Sequence, residues 1–391
     1  MREVAVIGIG TTNFGLLGDM TVEEMGVRAY ADAIHDAGVE KKDIEALFLG
    51  NFTAGMLQGQ ETLAPMIAYS LGLRENIAAV KVEGACCSSS IGIRLGYQLI
   101  AAGVHDLVVV GGAEKMTTAS TPRATRALSA AMDPVSESHT GYTYPGYFGL
   151  VANRYIYEYG DTIEQMAMVS VKNHNNSVLN PRARFRNRIT LEEVLESRLV
   201  ADPLKLYDCC PMADGAAALV LCSLDRAREY TKKPVVIAGS GMSRGFRTTH
   251  ETINDKGTIL SLPCTVTAAK EAFGMAKLQP ADIDVVELHD CFTIAEIVDS
   301  EDLGFFERGK GGRAVQEGLT QVDGKTPINP SGGLISKGHP VGATGCGQAY
   351  EIVKQLRGEH ENQVENAEIG LTHNAGGTGA ICAVHIFKRG F

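Results

Sequence analysis

A repeat of the chain's own pattern limits its possible folds more than any other sequence feature. Residues 4–10 and 235–241 are both apolar, β-branched runs that end in a glycine turn. Residues 43–49 and 282–288 are a second pair, each starting with an aspartate before an apolar run. The copies lie roughly 230–240 residues apart, and this spacing predicts two equivalent α/β halves.

Helical patterns precede the second strand of each half. Residues 21–37 have apolar side chains at helical spacing and begin with Thr21 and Glu24, the pair that forms a capping box. Residues 265–276 hold the corresponding place in the second half. Because strands alternate with helices, the pattern predicts a mostly parallel sheet that is covered on both faces.

Cys86 lies where a β-branched run meets a helical pattern. Residues 79–82 predict a strand, and residues 91–102 continue as a helix. A cysteine at such an elbow is close to the positive end of the helix dipole, which lowers the thiol pKa and favours the thiolate. Taken alone, paired cysteines are more often small core residues. The elbow makes Cys86 a candidate nucleophile.

His339 lies in a second rigid element. Residues 329–345 contain two prolines and five glycines, which exclude a regular helix or strand. Residues 344–356 then predict an amphipathic helix, so His339 is mounted on a rigid loop at its start. An isolated histidine here would more often bond a carbonyl and serve structure. Together with Cys86, it supplies the nucleophile and base of covalent catalysis.

Four motifs follow one another along the chain. They are Val-Glu-Gly-Ala-Cys-x-Ser at 82–88, Gly-Gly-Ala-Glu-Lys-Met at 111–116, His-Asp-Cys-Phe at 289–292 and Gly-His-Pro-x-Gly-x-Thr-Gly at 338–345. With them the chain resembles thiolases, which cleave or form 3-oxoacyl-CoA thioesters, over residues 4–386. The His-Asp-Cys-Phe motif is similar to that of sterol-carrier-protein-type and archaeal thiolases, whereas commoner members have Asn-Glu-Ala-Phe.

The resemblance implies an α/β fold of the thiolase type, with two duplicated halves in five layers (α-β-α-β-α) and a loop domain inserted in the first half. We expect residues 1–116 plus 207–232 to form the N-terminal half and residues 233–391 the C-terminal half. The loop domain is expected at 117–206, over the tunnel for CoA and the acyl group. An insertion of this length is usually functional.

The resemblance also implies catalytic roles. The motif Val-Glu-Gly-Ala-Cys aligns with Cys86 rather than Cys87, so Cys86 is expected to carry the acyl group. His339 is expected to take its proton and later to donate a hydrogen bond to the enolate oxygen. His289 is expected to help hold that oxygen. Cys291 is expected to act as the acid and base, because a thiol pKa is closer to neutrality than that of a hydroxyl.

The run from His373 to Gly379 replaces the Cys-x-Gly loop of commoner thiolases. His373, in the cysteine position, is expected to be a second acid–base group, a neighbour that tunes Cys291, or a packed structural histidine. A second oxyanion hole is expected from the N–H of Cys86 and one from the turn at Ala375 and Gly376, where the lack of bulk permits close approach.

Arg182, Arg184 and Arg186 form a basic segment in a chain whose net charge is −10. Guanidinium groups match phosphate geometry, so the segment is either a site for the CoA phosphates or a solvated loop. We expect coenzyme A to be a co-substrate, with no permanently bound cofactor. The overall negative charge argues against nucleic-acid binding.

The apolar runs and the cysteines indicate in which compartment the protein works. There is no apolar run of eighteen residues and no signal-peptide organisation, so no membrane span is expected. Nine cysteines without CxxC spacing argue against a metal site and against disulfides. These features predict a cytoplasmic protein in a reducing compartment.

Two other functions stay open. One is a condensing synthase of the wider superfamily (ketoacyl or hydroxymethylglutaryl-CoA synthase-like), and the other is a non-catalytic assembly subunit. The resemblance implies a homodimer or homotetramer, and relatives with His-Asp-Cys-Phe often act beside a small zinc-ribbon and OB-fold partner. The acyl group and the direction of the reaction do not follow from the sequence.

Overall fold

The computed structural model describes residues 1–160, 162–245 and 259–391. The strands are β1 (Val4–Thr11), β2 (Ala46–Gly50), β3 (Ala78–Val82), β4 (Leu107–Glu114), β5 (Leu199–Ala201), β6 (Leu204–Lys205), β7 (Gly215–Ser223), β8 (Val235–Arg244), β9 (Val285–Glu287), β10 (Ile369–Gly376) and β11 (Ile381–Arg389). The helices are α1 (Val22–Ala37), α2 (Ala54–Leu57), α3 (Leu63–Ser70), α4 (Ser88–Ala101), α5 (Thr121–Leu128), α6 (Tyr144–Tyr159), α7 (Ile163–Ser177), α8 (Leu191–Glu196), α9 (Leu224–Tyr230), α10 (Pro263–Ala276), α11 (Thr293–Asp302), α12 (Gly311–Gln316) and α13 (Thr344–Arg357). Within these ranges, no helix has both the length and the apolar character that crossing a bilayer requires.

The two halves have the same strand order. The first runs β3-β2-β4-β7-β1 and the second runs β9-β10-β11-β8, and β1 and β8 pair at Ala5↔Val236 and Val6↔Val235. Val286 of β9 forms a parallel bridge with Ile328. Ile328 therefore lies beside β9 in the way that β3 lies beside β2 in the first half. The predicted duplication is therefore confirmed, and the loops after β3 and after Ile328 are equivalent.

Five layers follow from what each helix contacts. Helix α1 packs on β1, β4 and β7, and helix α10 packs on β8 and β11. Helices α4 and α13 contact each other and lie between the two groups of strands. Their apolar faces, with Ile93 and Ile352 fully buried, form the central core against residues such as Val110. The layered α/β fold expected from the sequence is confirmed.

The sheet is mixed, so the prediction of a mostly parallel sheet is wrong. Strand β2 is parallel to β3 and β4, and β10 is parallel to β9, but the other pairs are antiparallel. Residues 377–380 alone connect β10 to β11, and so short a link joins antiparallel neighbours. Helices cover both faces, so β7 is buried throughout and lacks the alternation usual in antiparallel strands.

The predicted capping box is present at the start of α1. The Oγ1 atom of Thr21 accepts a hydrogen bond from the N–H of Glu24 at 3.1 Å, and the Glu24 carboxylate accepts one from the N–H of Thr21 at 2.7 Å. The helix ends at Gly38, which has the left-handed conformation common after helices. Local sequence signals therefore set both ends of this helix.

Residues between β4 and β7 share a core with the second half. Tyr147, Phe148 and Val151 of α6 and Val169 of α7 are buried in it. The same core contains Cys291 and Phe292, and Phe148 stacks on Phe292 with ring centroids 4.6 Å apart. Packing between this region and the second half therefore fixes the position of the His-Asp-Cys-Phe motif.

Candidate active site

Cys86 lies on a strained turn between β3 and α4. A single 3₁₀ turn, Ala85–Cys87, separates the strand from the helix, and Ala85 has a φ of 49°, which is uncommon for a residue other than glycine. The Ser88 hydroxyl accepts from the N–H of Gly84 at 3.0 Å and donates to the carbonyl of Ala85 at 2.6 Å. These contacts hold the turn so that Cys86 faces a cavity.

His339 lies between two short helical turns. A π-helical turn, Gly333–Lys337, precedes it, and a 3₁₀ turn, Val341–Ala343, leads into α13. The Asp290 carboxylate accepts from the N–H of Leu334 at 2.7 Å and so ties the first turn to the His-Asp-Cys-Phe motif. The predicted rigid loop at the start of a helix is therefore confirmed.

Glu114 holds the other side of the same loop. Its buried carboxyl accepts from the N–H of Gly342 at 3.0 Å and from the Thr53 hydroxyl at 2.7 Å. A Cβ atom on Gly112 would lie only 2.3 Å from the carbonyl oxygen of Gly342, so glycine is required for this approach. The Gly-Gly-Ala-Glu motif thus joins the histidine loop to the first half, a role that sequence reasoning missed.

Three of the expected catalytic side chains meet directly. The sulfur of Cys86 and one ring nitrogen each of His289 and His339 all lie within 4.8 Å of one another. The two imidazole rings are 5.0 Å apart between centroids and nearly perpendicular, at 81°. This trio of one thiol and two imidazoles is close enough to act on one bound substrate.

A cavity of about 230 Å³ lies in front of this trio. Cys291 lines it together with Cys86, His289 and His339, so four of the five predicted catalytic side chains share one space. Its other walls are largely apolar and include Phe52, Met116, Leu128, Tyr144, Met212 and Phe292. The first and second halves and the inserted region all contribute.

The tautomer of His339 follows from its neighbour Thr344. The hydroxyl of Thr344 donates its single proton to the carbonyl of Pro340 at 3.1 Å. With that bond made, the contact of 2.7 Å between the hydroxyl and Nδ1 of His339 is assigned with Nδ1–H as the donor. Burial also lowers the His339 pKa to about 3, so the ring is neutral. Its Nε2 atom is left with a lone pair and can accept a proton.

His289 has the opposite arrangement. The Nδ2 group of Asn374 lies 2.8 Å from Nδ1 of His289 and donates to it, so the ring proton is on Nε2. Burial is the main cause that lowers the His289 pKa well below its ordinary value. The neighbouring His339 and His373 lower it further. The site thus contains one neutral imidazole that accepts and one that donates.

The pKa predicted for Cys86 is wrong in direction. Burial raises it to about 12, and hydrogen bonds from the N–H groups of Gly377 and Cys86 itself offset only part of that rise. The lost hydration of the thiolate outweighs the dipole of α4, which begins two residues later at Ser88. The resting pair is therefore a thiol beside a neutral imidazole, and the proton moves when the sulfur attacks.

Alkylation of Cys86 by iodoacetamide should accelerate steadily with pH throughout the range below its pKa of about 12. The reactive thiolate is the minor form there, and its fraction rises about tenfold per pH unit. Intact-mass measurements over a pH series would give the rate, with Cys86→Ala identifying the modified residue. A plateau that starts near neutral pH would instead indicate a stable thiolate–imidazolium pair.

Cys291 is held just before α11. Its carbonyl accepts a hydrogen bond from the N–H of Cys210 at 3.0 Å. The backbones of Cys209 and Phe292 form an isolated antiparallel β-bridge. Burial raises the Cys291 pKa well above that of a free thiol, and the nearby Cys210 and Cys86 raise it further. Cys291 therefore rests as a protonated thiol that holds a proton to give, but its pKa is farther from neutrality than the sequence argument expected.

His373 lies behind His289 rather than in the cavity. Its Nδ1 atom accepts from the N–H of His289 at 3.4 Å, and its Nε2 atom is 2.9 Å from the Thr265 hydroxyl. Burial lowers its pKa to about 3. This position favours the role of a supporting neighbour over that of a second acid–base group.

The C-terminal turn approaches Cys86 from the opposite side. A Cβ atom on Gly376 would lie 2.2 Å from the carbonyl oxygen of Gly84, so the close approach expected at Ala375 and Gly376 is present. The N–H that bonds to Cys86, however, belongs to the next residue, Gly377. The oxyanion-hole role expected of Ala375 and Gly376 stays a prediction.

The three arginines differ in how they are used. The guanidinium of Arg182 donates to the carbonyl of Thr11 at 2.9 Å, and that of Arg184 donates to the carbonyl of Met212. Arg184 also lies over the Phe185 ring, 5.1 Å from its centroid. Arg186 is exposed. Two of the three therefore brace the loop beside the cavity.

A duplicated, five-layered α/β fold with a cysteine and two histidines between its halves defines a class of acyl-transfer enzymes. Comparison with family models gives the particular family. The model "Thiolase, N-terminal domain" matches residues 4–225, and "Thiolase C-terminal domain-like" matches residues 245–389. The chain belongs to the thiolase family, and it is an acyltransferase with thiolase function.

Individual relatives agree with this placement. The acetyl-CoA acetyltransferase of Methanothermobacter thermautotrophicus is 50% identical over 390 residues, and the match covers 100% of both proteins. Sterol carrier protein 2 of Oryctolagus cuniculus is 36% identical, with 100% of this chain and 73% of that protein covered. The solved Ltp2-ChsH2(DUF35) aldolase superposes with a TM-score of 0.84 at 25% identity, covering 99% of this chain and 97% of that one.

Proposed function

We propose that this thiolase joins two acetyl-CoA molecules into acetoacetyl-CoA and CoA, and catalyses the reverse thiolysis. The observation that carries the proposal is the single cavity onto which Cys86, Cys291, His289 and His339 open. Its walls are largely apolar, which suits the acyl part of such a substrate. The 50% identical relative is named acetyl-CoA acetyltransferase, which supports the same choice.

In the cleavage direction the first step forms an acyl-enzyme. The sulfur of Cys86 attacks the keto carbon of acetoacetyl-CoA while Nε2 of His339 takes the thiol proton. The N–H groups of Cys86 and Gly377 face the oxygen that becomes negative. The bond between the α and β carbons then breaks, the enolate oxygen is held by Nε2–H of His289, and Cys291 protonates the α carbon. Acetyl-CoA leaves, and an acetyl thioester stays on Cys86.

The second step restores both protons. CoA gives its thiol proton to the Cys291 thiolate, and the CoA sulfur attacks the thioester carbonyl. The Cys86 sulfur leaves and recovers a proton from the His339 imidazolium. Each group thus returns to its neutral resting form, which agrees with the directions of the pKa shifts found for Cys86, Cys291 and His339.

The test is an assay of the purified chain with CoA and a panel of straight, branched and aromatic 3-oxoacyl-CoA substrates. We expect acetyl-CoA as the product, with acetoacetyl-CoA cleaved most efficiently. Preference for a larger substrate would overturn the short-chain assignment. Condensation that consumed the acyl-enzyme with a different acceptor, without thiolysis, would favour the condensing-synthase alternative.

We further propose that residues 117–206 act as a loop domain over the CoA tunnel, with Arg186 near a CoA phosphate. Arg186→Ala should raise the KM for CoA severalfold while kcat stays near normal, because an exposed ion pair contributes about 0.2–1 kcal/mol. The effect should shrink at high salt. Arg28→Ala, an exposed arginine of α1, is the matched control. An unchanged KM would show that the segment only braces the loop.

We also propose an oligomer and a partner subunit. Strand β3 is at the edge of the sheet, and Val80 is exposed on it, so it can pair with its copy across a twofold axis. The name of the solved aldolase joins Ltp2 to ChsH2(DUF35), which supports a second component such as a small zinc-ribbon and OB-fold protein. Nine free thiols suit a reducing compartment, and we propose the cytoplasm.

A further inference from the structure

Two buried polar side chains behind His289 have no part in the reaction steps described above. Ser90, in the first turn of α4, and Asn374, in β10, are 1% and 0% exposed. The Ser90 hydroxyl donates to Oδ1 of Asn374 at 3.1 Å. The Nδ2 group of the same amide then donates to Nδ1 of His289 at 2.8 Å. Ser90, four residues after Cys86, is thus linked to the donor histidine.

We infer that Asn374, oriented by Ser90, is a positioning residue that keeps His289 as the neutral tautomer with its proton on Nε2. The inference rests on the proposed function, in which Nε2–H of His289 holds the enolate oxygen. An imidazole with the proton on Nδ1 would present a lone pair to the enolate and repel it. Asn374 therefore selects between a histidine that stabilises the enolate and one that opposes it.

The other groups facing His289 cannot make that selection. His339 and His373 are neutral because burial lowers the pKa of each to about 3, and Cys86 is a protonated thiol. His373 bonds to the backbone N–H of His289, not to its ring. The Asn374 amide turns its Oδ1 atom toward the Ser90 hydroxyl and its Nδ2 group toward His289, whereas the reversed amide would turn Oδ1 toward the ring.

Asn374→Asp tests this directly, because a carboxylate accepts hydrogen bonds but does not donate them. Nδ1 of His289 must then carry a proton. At about pH 9 we expect a neutral ring whose Nε2 atom has lost its hydrogen, and at lower pH an imidazolium whose Nε2–H is restored. The variant should therefore gain a pH dependence that the wild-type enzyme lacks, with higher activity on the acid side.

Two partial reactions separate this effect from general damage. Exchange of the acetyl-CoA methyl protons with deuterated solvent requires the enolate, whereas transfer of the acetyl group from acetyl-CoA to Cys86 does not. In Asn374→Asp at about pH 9, exchange should fall by about 10²–10³-fold, as for loss of one oxyanion-hole donor. Acetylation of Cys86, measured by intact mass, should change little.

Ser90→Ala is the second variant and removes one hydroxyl from a helix. It should reduce exchange less than Asn374→Asp does, and acetylation of Cys86 should again change little. Ser300→Ala is the matched control, since that buried hydroxyl donates within its own helix to Ile297 at 2.7 Å. Both partial reactions should be normal in the control.

Wild-type levels of exchange in Asn374→Asp or in Ser90→Ala would overturn the inference. So would parallel losses of exchange and acetylation at every pH, because a role in His289 alone affects only the enolate step. If the wild-type enzyme acetylates Cys86 and exchanges the methyl protons, the proposed function stands whichever way the variants behave. If it does neither, the proposed function and this inference fail together.

Discussion

Replacing Cys86 by alanine should abolish thiolysis, with a loss on the order of 10⁴–10⁶-fold in kcat, because no other group can carry the acyl chain. The wild-type enzyme, mixed with acetoacetyl-CoA or acetyl-CoA, should gain the mass of one acetyl group, and peptide mapping should place it on Cys86. Cys86→Ala should gain none. The side chain is partly buried and lines the wall of the cavity, so the variant should fold normally.

Cys87 provides the matched control. It is adjacent in sequence but fully buried in the central core, where burial keeps it protonated. Cys87→Ala should keep most of the activity and lose some stability, as expected for a small cavity in a core. An acetyl group mapped to Cys87, or normal thiolysis by Cys86→Ala, would contradict the assignment of the nucleophile.

Cys291→Ala should reduce thiolysis by about 10²–10⁴-fold, the range typical of general acid–base catalysis. Exchange of the acetyl-CoA methyl protons should disappear with it, because both processes move a proton at the α carbon. Acetylation of Cys86 by acetyl-CoA should slow much less than exchange, since Cys291 there protonates only the departing CoA sulfur, which can also leave as a thiolate. Deuterium incorporation followed by mass spectrometry measures the first effect, and intact mass measures the second.

The same assay distinguishes Cys291 from His373. His373 lies outside the cavity and bonds to the backbone N–H of His289, so His373→Ala should reduce exchange only through the position of His289. If Cys291→Ala kept near-normal exchange while His373→Ala lost it, the two roles would be exchanged and His373 would be the acid–base group.

Much of the fold follows from local sequence signals. The repeat predicted the two equivalent halves, and Thr21 with Glu24 predicted the start of α1. The direction of the strands did not follow, because β7 and β11 are buried between layers of helices and show no alternation. The order of the strands in the sheet is decided by contacts between residues that are far apart in sequence. The pattern of a single apolar run does not predict these contacts.

The site was predictable as a set of residues but not as an electrostatic environment. The motifs located Cys86 and His339. The pKa of Cys86, however, depends on how far the fold excludes water from the thiolate, and the position of Cys86 before a helix does not indicate this. Thr344 and Asn374 were also missed, although both lie inside quoted motifs. The available signal was a polar residue within an otherwise buried segment, since such a residue requires a specific partner.

The equivalence of the loops after β3 and after Ile328 has a consequence for how such a site originates. Two copies of one loop meet between the halves, and one now presents a sulfur while the other presents an imidazole. This is the geometry of a symmetric dimer whose subunits have been joined into one polypeptide. Within one polypeptide the two loops need not be identical, so one can supply the nucleophile and the other its base.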